Sequence, residues 1–124
     1  MIPPSELRLT PDRATLEVRF PDAAYTLPAE YLRVESPSAE VQGHSPDQRQ
    51  LVHGKRAVRI AGIEPVGNYA VRLIFDDGHD SGIYSWEILA TLGREQPARW
   101  ARYLEELETR ALTRDGGPAR HGRA

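Results

Sequence analysis

Residues 55–77, KRAVRIAGIEPVGNYAVRLIFDD, restrict the chain most, because two apolar runs meet there at Gly67-Asn68. A Gly-Asn pair accepts positive φ, so two residues suffice to fold one strand back on the other, and an antiparallel hairpin is expected. In the second run Tyr69, Val71, Leu73 and Phe75 fall on one face and Ala70, Arg72 and Ile74 on the other. That period of two is the signature of a strand. A second hairpin is expected upstream. In ATLEVRF, Leu16, Val18 and Phe20 alternate with Glu17 and Arg19, PDAA supplies a turn, and AYTL returns.

The remaining segments read differently. PAEYLRVES places Pro28 at the start of a short helical turn, anchored by Tyr31, Leu32 and Val34, that runs into an extended stretch. Residues 36–50, SPSAEVQGHSPDQRQ, have no period and are expected to form a long loop. Ser85 is the expected N-cap of a helix over WEILATL, with Tyr84 stapled onto Leu89 and Gly93 as its end. A second helix, QPARWARYLEELETRAL, carries Pro97 in its first turn and a stripe of Trp100, Tyr103, Leu104, Leu107 and Ala111. The expected fold is α+β: a small, mainly antiparallel β domain with a short helix and a C-terminal amphipathic helix. It occupies residues 5–112 as a single domain, between a flexible N-terminus (1–4) and a disordered tail (113–124). Arg114, Arg120 and Arg123 leave that tail open to two readings, a docking arm or a mobile remnant.

Composition narrows the function. The 124 residues carry a net charge of −2, which gives no global attraction to nucleic acid or to an anionic membrane. The chain has no cysteine, so disulfides, thiolate nucleophiles and Cys-rich zinc sites are excluded. Neither a signal peptide nor a membrane span is visible, and a cytoplasmic bacterial protein is the expectation.

The segment DDGHDSGIYSW, residues 76–86, is the one stretch dense in polar chemistry. A nucleophile elbow needs Gly-x-Ser-x-Gly, and in Gly78-His79-Asp80-Ser81-Gly82 the serine comes one place late. A non-haem iron triad needs His-x-Asp/Glu, but Ser81 stands in the third place. Asp76, Asp77 and Asp80 are therefore read as a solvated turn, with His79 a structural turn residue.

Together, YLRVESPSAEVQGH, IEPVGNYAVRLIFDDGHDSGIYSW and the helix after them resemble the gamma-butyrobetaine hydroxylase-like N-terminal domain family. Members of that family precede the catalytic jelly roll of gamma-butyrobetaine and trimethyllysine dioxygenases. Others stand alone in bacteria or are appended to P-loop ATPases of the iron–sulfur carrier type. In the dioxygenases the domain is zinc-binding, through a Cys-x-Cys-x-x-Cys run and the histidine of Asp-Gly-His. Aligned on Leu32-Arg33, the resemblance puts those positions on Ser36, Ser38, Val41 and His79, which leaves one ligand of four. A serine hydroxyl stays protonated near neutral pH and is a poor zinc ligand. The site reads as degenerate, with hydrogen bonds from Ser36 and Ser38 to the turn as an alternative way to hold the loop. Glu35, Glu40 and His44 are the candidate replacement ligands beside His79, for zinc or iron.

The expectation is a non-catalytic domain without a cofactor that acts by protein contact. Its partner is a second copy of itself, a dioxygenase-type enzyme or a protein of metal-cofactor assembly. Arg33, Tyr69, His79, Tyr84 and Trp86 are the candidate contact residues, since Arg and aromatic side chains anchor interfaces. For Tyr69 and Trp86, burial in the core is the favoured expectation over a contact role. The alternative function is metal binding through His79 and the nearby loop, linked to iron–sulfur or metal-cofactor assembly.

Overall fold

The computed structural model describes residues 2–116. Two three-stranded antiparallel sheets form its frame. The first joins β1 (Glu6–Leu9), β2 (Thr15–Phe20) and β3 (Ala23–Pro28), and the second joins β4 (Ile60–Val66), β5 (Ala70–Phe75) and β6 (Gly82–Ser85), each in sequence order. Both expected hairpins are present, with Phe20 opposite Ala23 and Val66 opposite Ala70 flanking their turns. The outer strands β1 and β6 had no expectation attached. Each is four residues long, too short for alternation alone to identify.

Helices seal the sheets. Pro28 is the N-cap of α1 (Ala29–Val34) rather than its first residue, and α1 closes at Glu35 instead of running on as extended chain. The 36–50 segment contains α2 (Ala39–Gln42), capped by Ser38, and a 3-10 turn at Pro46–Gln48. The long loop expected there is thus partly helical, because local Ser and Pro caps organise what lacks periodicity. Helix α3 (Trp86–Arg94) starts at its expected cap, where the Ser85 hydroxyl accepts the Ile88 amide at 3.1 Å. Gly93 does not end α3. It lies within the helix, where a Cβ would sit 2.3 Å from the Tyr25 ring. Its role is to let α3 approach β3. Helix α4 (Gln96–Thr109) follows with Pro97 in its first turn.

The main core unites both sheets. Leu16, Val18 and Phe20 of β2 meet Val71, Leu73 and Phe75 of β5, closed over by Leu32 of α1 and Leu89 of α3. A second cluster, Val34, Tyr103 and Leu107, lies under α4 with Trp100 beside it. Leu104 and Ala111, expected on that stripe, are exposed. The ordered unit also extends past residue 112. The Gly54 and Arg56 amides donate to the Thr113 and Arg114 carbonyls at 3.0 Å, and the Arg114 guanidinium grips buried Glu30 with two bonds of 2.8 and 2.6 Å. It also lies 5.1 Å from the centre of the Trp100 ring. Arg114 therefore does not belong to a disordered tail, whereas Arg120 and Arg123 lie outside the described residues. No helix among the described residues is long and apolar enough to cross a membrane.

Candidate functional site

Asp76 to Ser81 form the turn between β5 and β6, and the turn folds on its own side chains. The Phe75 amide donates to the His79 carbonyl at 2.9 Å, and Asp77 Oδ1 accepts the His79 amide at 3.1 Å. Gly78 supplies the positive φ of 92° this loop requires. The result differs from a solvated turn at its centre. His79 is only 5% exposed, with its ring tilted 6.0 Å from that of Phe75.

What covers His79 comes from the end of α1 and the start of α2. Ser36 Oγ lies 2.8 Å from His79 Nε2, and Glu40 Oε2 lies 3.2 Å from Nδ1. A charged carboxylate can only accept, so Nδ1 carries the ring proton and the Ser36 hydroxyl donates to Nε2. Ser36 Oγ accepts in turn from the Ser38 amide at 3.2 Å, and the Ser38 and Ser81 hydroxyls share a bond of 2.7 Å. Burial lowers the His79 pKa, as does the neighbouring Arg33 charge, against the opposing pull of Glu40. The imidazole is accordingly neutral near pH 7.

Asp77 anchors the other side. Its Oδ2 accepts from Arg33 Nε at 2.8 Å and from Lys55 Nζ at 2.6 Å. Burial pushes its pKa up, but hydrogen bonds from Lys55, the His79 amide and Arg33 overcome that and hold it at about 2. Arg33 Nη1 is buried with no hydrogen-bond partner among the described residues.

The Ser36–His79–Glu40 chain has the connectivity of a serine hydrolase relay, contributed by separate segments. Access defeats that chemistry. Ser36 is 0% exposed, and a Cβ at Gly82 would stand 2.7 Å from its hydroxyl, so no substrate carbonyl can reach it. The exposed member of the chain is Glu40.

Nor do these side chains suit a metal ion. The one imidazole lone pair, at Nε2, already accepts from the Ser36 hydroxyl, while the nearest carboxylate is on the Nδ1 side. Val41, the third position that the resemblance assigned, is buried and offers no donor. Of the replacement ligands, only Glu40 meets His79. Glu35 turns away to Arg99 at 2.8 Å, and His44 is exposed, with its amide on Gln48. Among the described residues no group of three or more His, Cys, Asp or Glu is placed to hold a metal. Hydrogen bonds from Ser36 and Ser38 instead join the 36–41 segment to the turn.

The candidate contact residues separate by exposure. Tyr84 is 0% exposed, its hydroxyl donating to the Leu32 carbonyl at 2.5 Å, so it cannot touch a partner. His79 and Arg33 are enclosed as described above. Tyr69, expected with Val71 on the apolar face, stands out at the hairpin end and is 56% exposed. Half-buried Trp86 donates its indole N–H to the Asn68 carbonyl at 2.9 Å. With Pro3, Asn68, Ser85 and Glu87, these two aromatics line a groove of about 400 Å³. A neighbouring cleft of about 440 Å³ shares Ser85 and Glu87 in its lining and lies between α3 and α4, with Ile88, Leu92, Arg49, Arg99 and Arg102 on its walls. Sequence reasoning missed this cleft, since Glu35, Arg49, Arg99 and Arg102 carry no shared motif.

The profile described as "Gamma-butyrobetaine hydroxylase-like, N-terminal" matches residues 7–90. Two proteins solved in solution by NMR resemble the chain over its whole length. One is 44% identical with a TM-score of 0.84, covering 99% of this chain and 98% of its own. The other is 41% identical with a TM-score of 0.79, covering 100% and 93%. A crystal structure from Acidithiobacillus ferrooxidans, of a DUF971-family protein of unknown function, is 40% identical with a TM-score of 0.61, covering 73% of this chain and 91% of that one. None of the curated proteins compared with the chain matches it.

Proposed function

We propose, from the premise that this chain belongs to the gamma-butyrobetaine hydroxylase-like N-terminal domain family, that it is a non-catalytic domain acting through contact with another protein. The observation that carries this reading is a pair of neighbouring grooves whose linings share Ser85 and Glu87: one presents exposed Tyr69 and half-buried Trp86, the other three arginines. Interface anchors are drawn from these residue types, and two adjacent grooves suit an extended partner surface better than a single small substrate. The buried Ser36–His79–Glu40 chain supports the absence of catalysis, because its hydroxyl is shut off from solvent.

Quantitative affinity recovery from lysate of the source organism tests the reading, using the intact chain, Tyr69→Ala and the remote control Arg8→Ala. Recovery of one partner should fall about tenfold or more with Tyr69→Ala and stay unchanged with Arg8→Ala. For a homodimer, light scattering should show the same dependence. A monomer whose recovered proteins are all indifferent to Tyr69 would sink the proposal. Near-stoichiometric zinc or iron by elemental analysis, lost in His79→Ala, would replace it with the metal-binding reading.

A further inference from the structure

We infer that the arginine-lined cleft takes the acidic side chains of a short apolar and acidic segment of the partner protein. The inference rests on the interaction reading and adds the partner's chemistry. Arg99 and Arg102 stand three apart on α4, hence on one face of it, and Arg49 reaches the same cleft from just beyond the 3-10 turn. Glu35 positions two of them. Its carboxylate is 4% exposed, accepts from Arg99 Nη1 at 2.8 Å and lies 3.7 Å from Arg49 Nη2.

A guanidinium has five N–H donors; the 3.7 Å ion pair of Arg49 with Glu35 leaves its donors to spend, and Arg99 keeps some beyond its bonds to Glu35 and Glu95. Arg102 makes no ion pair among the described residues and is exposed. The charged lining, three arginines against Glu35 and Glu87, is net positive on a chain whose net charge is −2. That local inversion selects anionic groups. Pro37 and Ile88 add apolar surface, so the matching segment carries apolar side chains beside its carboxylates. The volume, about 440 Å³, holds only a few side chains, and the Tyr69 groove lies on the other side of Ser85 and Glu87, which line both.

NMR titration of the full-length ¹⁵N-labelled chain tests this with a pentapeptide of three glutamates and two leucines. The controls are the same peptide with glutamines for glutamates, and citrate. Saturable shifts at Gln42, Arg49, Thr91, Arg99 and Arg102 are expected from the acidic peptide alone, weakening with salt. Arg102→Glu combined with Arg49→Gln should weaken binding about tenfold or more. An unchanged dispersion of amide signals would show that the variant remains folded. No saturable shift, equal binding by the glutamine peptide, or binding indifferent to the arginine changes would overturn the inference. Citrate binding as tightly as the peptide would also overturn it, by marking a small-anion site. If the peptide fails while partner recovery still depends on Tyr69, the interaction reading stands and only the cleft assignment falls. If both fail, both are lost.

Discussion

Replacing Ser36 by alanine strips Nε2 of His79 of its donor and the Ser38 amide of its acceptor, in a place water does not reach. An unsatisfied buried group costs about 1–3 kcal/mol, and two partners are affected, so a loss of about 2–3 kcal/mol is expected. His79→Ala breaks the same bond from the other side, frees Glu40, and removes the ring beside Phe75. Its cost is about 3 kcal/mol, part of it a cavity term. Because the shared bond can be lost only once, the double variant should lose about 4 kcal/mol, a coupling of about 1–2 kcal/mol. Urea unfolding measures this. With a slope of about 1–3 kcal/mol/M, each single change lowers the midpoint by about 1–3 M. The midpoint of the parent protein should not move when EDTA is added, since the junction is held by hydroxyls, an imidazole and a carboxylate. Losses that add to within about 0.5 kcal/mol would refute the shared bond. A chelator-sensitive midpoint would refute the reasoning that these groups hold the junction unaided.

Acid should weaken the same junction in two steps. The His79 pKa is lowered from 6.5 in the folded chain, so the unfolded chain binds the extra proton. Its contribution is whole above 6.5 and is lost as pH falls through the folded value, and His79→Gln should flatten that limb of a pH-stability curve. Asp77 contributes fully above 3.8, and its share is lost on acidification toward about 2, which Asp77→Asn should remove. Gly93→Ala gains helix propensity of about 1 kcal/mol but drives a methyl into Tyr25, 2.3 Å away. The overpacking of about 1–3 kcal/mol should win, and a melting temperature above that of the parent would contradict the packing assignment. Truncation after Leu112 removes the Arg114 bonds to buried Glu30, and calorimetry should show a loss of about 1.5–3 kcal/mol.

Both hairpins were legible because their evidence is local: the alternation of Leu16, Val18 and Phe20, and the Gly67-Asn68 turn, act over a few residues. Ser85 as a cap was legible for the same reason. Tertiary partners decided the rest. His79 looked like a turn residue because nothing near it in sequence says that Ser36, forty-three positions earlier, closes over it. Gly93 imitates a helix terminator, yet what it answers to is the ring of Tyr25. Tyr69 continues the period of Val71 and Leu73, but the strand begins at Ala70, and one step past its end the face no longer has a core to meet. The family resemblance that put Ser36, Ser38 and His79 at one site named residues that the fold does bring together. It could not say whether protons or a cation link them.

The clamp of Arg114 on Glu30 and Trp100 separates two kinds of boundary in this chain. The family profile stops at residue 90, part-way along α3, while the stretch that folds as a unit reaches at least Arg114. A fragment cut at the profile's edge would leave half a helix and bare the apolar seat of α4 around Val34. The edge of a sequence profile is therefore not an edge of stability, and a fragment meant to stand by itself has to keep the Arg114 clamp.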